Sequence, residues 1–264
     1  MLEIKNVTKV FNPATVNEMT ALAGVNLTLS EGDYVAVIGG NGAGKSSLLN
    51  VIAGVYPPDG GNILIDGEDV KGMPEHKRAA FLGRVFQDPM LGTAGDMLIE
   101  ENLALARRRG KFRTLAWSIS QAERAEYREL LAGLGLGLEE RLKTKAKLLS
   151  GGQRQALTLV MATLQNPKVL LLDEHTAALD PKTAEIVMQL TDRIVSANRL
   201  ATLMVTHNMH DAIKHGNRLI MMHKGTIIVD VRGEEKQNLT VPDLLARFQT
   251  ASGDAFADDR VLLS

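Results

Sequence analysis

The sequence lacks cysteine altogether, so disulfide bonds and thiolate metal sites are excluded. Aromatic residues make up only 4% of the chain. No apolar run approaches the roughly 20 residues that a membrane-spanning helix needs. Thirty basic and 31 acidic residues leave a net charge of −1. This balance leaves no excess of positive charge that would attract nucleic acid, and we expect no nucleic-acid partner.

The 264 residues are enough for one large α/β domain or two lobes, and 45% of them are hydrophobic, which suffices for a core of that size. Polar and apolar residues alternate from Met1 to Val7. That alternation predicts a β-strand rather than a signal peptide.

A glycine-rich motif lies between a predicted strand and a predicted helix. Val35–Ile38 is short, apolar and β-branched, which predicts a buried strand, and Ser46–Ala53 predicts a helix that ends at Gly54. Such a loop is an anion site, because unpaired amides and the helix dipole face the phosphates. We expect Lys45 to reach the β- and γ-phosphates and Ser46 to bind Mg²⁺. The residues expected to bind the nucleotide here are Gly39, Gly40, Asn41, Gly42, Ala43, Gly44, Lys45, Ser46 and Ser47.

Two carboxylates follow a second predicted strand. The run Val169–Leu172 is apolar and ends in Asp173 and Glu174. Carboxylates at the end of a buried strand are costly unless a cation lies nearby. We therefore expect Asp173 to hold Mg²⁺ and Glu174 to polarise the attacking water.

A second glycine motif, Ser150-Gly151-Gly152, precedes a segment of helix-forming composition. Ser150 is a natural N-cap, and the glycines leave backbone amides accessible. This predicts a second helix N-terminus that faces an anion. Because the first loop already wraps one side of a triphosphate, the second could act only from the opposite side.

In combination, LSGGQ, GxxGxGKS and LLLLDE resemble the ATP-binding cassette (ABC) ATPases over about residues 1–230. Two subunits of that family pack head to tail, and the LSGGQ of one closes on ATP held by the other. The resemblance therefore implies a homodimer whose interface includes Ser150, Gly151, Gly152 and Gln153.

Four further positions match family motifs one by one. Gln87 resembles the glutamine that senses Mg²⁺ and the water, and His207 resembles the histidine that contacts the γ-phosphate. Asp180 resembles the aspartate that links the two sites of the dimer, and Phe11 the aromatic residue that stacks on adenine. We accordingly expect Gln87 to help bind Mg²⁺, and Lys45, Gln87, Glu174 and His207 to serve hydrolysis.

One position departs from the family pattern. Many members have proline after the catalytic glutamate, whereas this chain has His175. Proline would stiffen the turn. We expect histidine to free the turn and to add a titratable group.

The predicted fold is an α/β P-loop NTPase with a mostly parallel, doubly wound sheet, an N-terminal antiparallel β region and an inserted helical lobe. We expect one ABC ATPase domain over residues 1–264. Its predicted parts are a nucleotide-binding core at 1–87 and 151–230, a helical lobe at 88–150 and a C-terminal extension at 231–264.

The resemblance implies the ATP-hydrolysing subunit of a membrane transporter, bound peripherally at the cytoplasmic face of the membrane. Permease subunits would dock near residues 88–105, and an importer would also use a separate substrate-binding protein. Asp173–Asp180 and Arg218–His223 resemble an importer group linked to aromatic amino-acid uptake. A soluble assembly ATPase, such as one that serves iron–sulfur assembly, and an exporter ATPase stay open as alternatives.

Overall fold

The computed structural model describes residues 1–110 and 119–252, in which the chain forms two β-sheets with helices packed on them. The strands are β1 (Leu2–Phe11), β2 (Met19–Leu29), β3 (Tyr34–Ile38), β4 (Gly60–Ile65), β5 (Glu68–Asp69), β6 (Leu82–Val85), β7 (Val169–Asp173), β8 (Ala201–Val205), β9 (Arg218–His223) and β10 (Thr226–Arg232). The helices are α1 (Lys45–Ala53), α2 (Glu75–Arg78), α3 (Ile99–Arg107), α4 (Gln121–Ala132), α5 (Gly151–Thr163), α6 (Pro181–Asn198), α7 (Met209–Lys214), α8 (Gly233–Gln237) and α9 (Val241–Ser252).

The larger sheet has six strands in the order β10-β9-β3-β8-β7-β6. All neighbouring pairs are parallel except β9 with β10, which form an antiparallel hairpin. The smaller sheet, in the order β2-β1-β4-β5, is antiparallel. These pairings confirm the predicted mostly parallel sheet and the antiparallel amino-terminal region.

Side chains of β3 point alternately to the two faces of the large sheet, and each face has its own core. Val35 and Val37 pack with α1 and the small sheet, whereas Ala36 and Ile38 pack with the helices on the other face. All four are at most 1% exposed. Because β3 is buried on both faces, it is apolar throughout instead of alternating, as is typical of parallel strands.

The region between β6 and α5 contains α3, α4 and two short 3-10 segments. Ser120 caps α4 by accepting a hydrogen bond from the backbone N–H of Glu123, and α4 ends immediately before Gly133. Residues 111–118 of the predicted helical lobe lie outside the described residues, as does the predicted tail at 253–264. The division of the chain into core, lobe and extension stays a prediction.

Within the described residues, no helix combines the length and the apolar character needed to cross a bilayer.

Candidate nucleotide-binding and hydrolysis site

The parallel sheet brings the carboxyl ends of five strands, β9, β3, β8, β7 and β6, to one edge. Beyond the ends of β7 and β8, the backbone continues to pair with the neighbouring strands. The N–H of Glu174 donates to the carbonyl of Val205 at 3.0 Å, and the N–H of Thr206 donates to that of Val37 at 3.1 Å. The first residues after these strands are thereby fixed beside one another.

The glycine loop after β3 adopts a conformation that requires glycine at its ends. Gly39 has φ +151°, and a Cβ there would lie 2.3 Å from the Met222 carbonyl oxygen. Gly44 has φ +102°, and a Cβ there would lie 2.4 Å from the Ala21 carbonyl oxygen. Gly44 also precedes α1 without any side-chain cap. The backbone amides at this helix N-terminus can therefore donate hydrogen bonds to an anion.

The loop also presents a cation beside those amides. The Lys45 ammonium donates to the carbonyls of Gly39 at 2.6 Å and Gly40 at 3.1 Å, so it folds back over the loop. A Cβ at Gly42 would meet nothing within 4 Å, which leaves the loop open on that side. Ser46 is exposed, as Asn41 is, whereas the side chain of Ala43 is buried.

Asp173 lies half-buried at the end of β7, and sequence reasoning missed its partner, Arg84 on β6. The Arg84 guanidinium lies 3.7 Å from the Asp173 carboxylate and donates to the Asn50 amide oxygen at 2.7 Å. Burial raises the pKa of the Asp173 carboxyl above its usual value, and Arg84 opposes that rise. Glu174 raises this pKa further and Lys45 lowers it. These influences mean that Asp173, Glu174 and Lys45 share one electrostatic site.

Glu174 and His207 come together at this edge, as the predicted roles require. His207 Nδ1 lies 3.4 Å from Glu174 Oε2. Glu174 has φ +43°, a left-handed conformation that a residue with a side chain rarely adopts. Strained backbone of this kind persists only where the surrounding structure enforces it.

The structure corrects the expectation for His175. Its ring is 2% exposed and hydrogen-bonds Thr191, so the ring ties the turn to α6 and does not free it. Burial, with a further contribution from His215, lowers the pKa of His175 to about 4. The ring is therefore neutral at physiological pH, and the added titratable group does not ionise near neutrality.

The second glycine motif forms the N-terminus of α5, as predicted. Ser150 Oγ accepts from the Gln153 N–H at 3.2 Å, and Gln153 Oε1 accepts from the Ser150 N–H at 3.3 Å. This is a capping box. The Gln153 amide also donates to the carbonyl of Leu136 and accepts from Arg141. Gln153 is thus held by its own chain, while Ser150 and Gly151 are exposed.

The two glycines of this motif also pack against their own subunit, which sequence reasoning missed. A Cβ at Gly152 would lie 2.0 Å from Thr183 Cγ2 on α6, and one at Gly151 would lie 3.3 Å from Leu179 Cδ2. Asp180 caps α6 by accepting from the Thr183 N–H at 3.1 Å. Gly152 is therefore required for close helix packing as well as for accessible amides.

A buried glutamine joins α5 to the end of β6. The Gln155 side chain is fully buried, and its amide donates to the Phe86 carbonyl at 3.2 Å. The next residue, Gln87, is exposed at the edge of the sheet. Helix α5 is thus hydrogen-bonded to the residue directly before Gln87, the glutamine predicted to bind Mg²⁺.

Phe11 ends β1 and packs edge to face with Tyr56, with ring centroids 5.1 Å apart. The Lys9 ammonium lies 5.6 Å from the Phe11 ring centroid and donates to Asp59 at 3.1 Å. The ring is partly exposed. It can therefore offer apolar area to a flat ligand.

Comparison with known proteins gives a consistent result. Residues 22–177, more than half of the chain, match the family description "ABC transporter". The chain is 45% identical to the "Tyrosine transport ATP-binding protein" of Clostridioides difficile, over 95% of this chain and the whole of that protein. It is 36% identical to the "Methionine import ATP-binding protein MetN" of Corynebacterium diphtheriae, over 86% of this chain but only 64% of that protein.

A solved structure shares the fold. It is described as the "dimeric structure of a post-hydrolysis state of the ATP-binding cassette MJ0796 bound to ADP and Pi". The TM-score is 0.73 at 28% identity, and the match covers 88% of this chain and 98% of that one. The predicted fold class is confirmed.

The packing at Gly152 gives a testable expectation that is independent of any ligand. Gly152→Ala should lower the free energy of unfolding by about 1–3 kcal/mol, because the new methyl group overlaps Thr183 Cγ2. Thr183→Ser removes that methyl group, and the double variant should recover most of the loss. Urea denaturation of the four proteins measures this. Equal losses in the single and double variants would contradict the proposed contact.

Proposed function

The chain belongs to the ABC transporter family and is one of its ATPases, and we propose that it drives a bacterial importer of amino acids, aromatic ones in particular. The observation that carries this proposal is the 45% identity to the C. difficile tyrosine transport protein, because the match extends over the whole of that relative. The methionine import relative supports the wider amino-acid class.

We assign the triphosphate to the glycine loop, Gly39–Ser47. The uncapped α1 N-terminus supplies amides, and Lys45 supplies a positive charge beside the β- and γ-phosphates. Phe11 would offer its ring to adenine. Lys45 would exchange its present carbonyl partners for phosphate oxygens, which bear more negative charge.

The oxygen ligands present fit Mg²⁺, which would neutralise charge on the phosphates when bound. Ser46, Gln87 and Asp173 would hold it, and hydroxyl, amide and carboxylate oxygens are ligands that this hard cation accepts. Burial that raises the pKa of Asp173 supports the fit, because a cation at that carboxylate relieves the cost of ionising it. Arg84 already supplies part of that compensation.

We assign hydrolysis to Glu174 and His207. The Glu174 carboxylate would accept a hydrogen bond from the attacking water and orient it towards the γ-phosphate. His207, 3.4 Å away, would hold the carboxylate on one side and contact the γ-phosphate on the other. Positioning of this kind, together with electrostatic stabilisation, accounts for most of the barrier reduction in phosphoryl transfer.

The exposed α5 tip supports a homodimer in which Ser150–Gln153 of one subunit closes on the nucleotide of the other. Ser150 and Gly151 are exposed at this tip, and the capping box fixes how α5 begins there. Asp180 lies beside this tip, because Leu179 and Thr183 pack against the two glycines. A movement of the tip would therefore displace Asp180 as well.

The membrane subunits would dock beside Gln87, near residues 88–105. Met90 is 43% exposed and Leu91 is 70% exposed, and apolar side chains at that level of exposure suit a protein contact. Docking there would hold the chain at the cytoplasmic face of the membrane. A separate binding protein would deliver the substrate on the other side.

Glu174→Gln should preserve ATP binding and slow turnover by roughly 10²–10³, which corresponds to about 3–4 kcal/mol of barrier. The amide keeps the size of the side chain but accepts the water's hydrogen bond poorly. Glu185→Gln, an exposed carboxylate on α6, is the matched control and should hydrolyse ATP normally. Steady-state phosphate release measures both. Near-normal turnover in Glu174→Gln would exclude the assigned role.

In cells that lack this chain, the wild-type protein and Glu185→Gln should restore uptake of labelled tyrosine, whereas Glu174→Gln should not. The chain should also co-purify with a multi-span protein from detergent-solubilised membranes. Unchanged tyrosine uptake without the chain would contradict the aromatic amino-acid assignment. Recovery of the chain from the cytosol alone would favour an assembly ATPase.

A further inference from the structure

The residue after Glu174 makes a contact that none of the proposed catalytic steps uses. The His175 ring is 2% exposed, and Thr191 on α6 is fully buried. His175 Nε2 lies 3.1 Å from Thr191 Oγ1. The contact joins the turn that carries the carboxylate to the middle of an 18-residue helix.

The direction of this hydrogen bond follows from the partners of Thr191. Its hydroxyl donates to the Val187 carbonyl at 2.8 Å, which uses the one proton it has. His175 Nε2 must then be the donor, and Thr191 Oγ1 the acceptor. The ring is therefore the neutral tautomer with its proton on Nε2, in agreement with a pKa lowered to about 4.

Glu174 itself is held in a left-handed conformation at φ +43°. On one side, the Glu174 N–H donates to the carbonyl of Val205 at the end of β8, and the Glu174 carbonyl accepts from the Ala177 N–H at 2.9 Å. On the other side, the next side chain is fixed to α6 by the bond to Thr191. Without that second anchor, the turn could rotate towards a less strained conformation and carry the carboxylate away from His207.

We propose that His175 is a positioning residue for hydrolysis. Its hydrogen bond to Thr191 holds the Glu174 carboxylate beside His207, where the carboxylate orients the attacking water. The inference rests on the proposed function of Glu174. His175 is buried and hydrogen-bonds Thr191, so we assign it no direct contact with nucleotide or water and an action through its neighbour Glu174. ATP binding therefore does not depend on it, and turnover does.

Thr191→Val tests the proposal with little change in shape, because it replaces only the buried hydroxyl by a methyl group. We expect kcat to fall roughly fivefold to tenfold, because the hydrogen bond is lost and the Glu174 carboxylate is displaced. The Kd for ATP should be unchanged. Thr191→Ser keeps the hydroxyl and should retain most of the activity. Wild-type kcat in Thr191→Val, or an equal loss in Thr191→Ser, would overturn the proposal.

The same comparison in the Glu174→Gln background separates positioning from general damage. If His175 acts through Glu174, Thr191→Val should not lower the residual turnover of Glu174→Gln any further. A further loss of the same size would indicate a merely structural role and would overturn the inference. Near-normal turnover of Glu174→Gln alone would instead refute the proposed function, so the two failures are distinguishable.

A second pair of variants covers the case in which Thr191→Val does not fold. His175→Gln places an amide donor near the position of Nε2, and His175→Leu removes the donor at similar size. We expect partial activity from His175→Gln and the full loss from His175→Leu, both measured below their unfolding temperatures. Equal kcat values in the two variants would overturn the proposal.

Discussion

The arrangement of the site depends on one constraint, the hydrogen-bonded register of parallel strands at their carboxyl ends. Peptide groups just beyond β7 and β8 still pair with the next strand, through Glu174 to Val205 and Thr206 to Val37. The glycine loop, the carboxylates and His207 are therefore placed by the same ladder that forms the core. Ligands of open α/β sheets bind at this edge, outside the carboxyl ends of the strands.

The charge of Asp173 at this edge depends on its partial burial and on the cations beside it. Asp173 carries a raised pKa because it is partly buried, and Arg84 and Lys45 are the cations that make its charged form tolerable. Arg84 lies on the strand that leads to Gln87, so the carboxylate proposed to bind Mg²⁺ and the exposed glutamine are linked through β6. A cation that arrives with nucleotide would act on both.

Local patterns were enough to predict the central strands, whereas the roles of the residues that follow them stay predictions. Val35–Ile38 and Val169–Leu172 are apolar runs, the first followed by the glycine loop and the second by two carboxylates. The structure has strands β3 and β7 at these two runs, as predicted. Arg84, Gln155 and Thr183 escaped prediction because their importance comes from partners far along the chain. His175 was expected to free its turn, since a sequence does not reveal that Thr191, 16 residues later, lies within hydrogen-bond distance.

The central claim is that each nucleotide is enclosed by Lys45 of one subunit and Ser150 of the other. Light scattering of Glu174→Gln saturated with Mg·ATP tests it most directly, because slow hydrolysis should trap the closed pair. We predict a dimer that returns to monomer when Ser150→Arg or Lys45→Ala is added. A Glu174→Gln protein that binds Mg·ATP and stays monomeric would contradict the account.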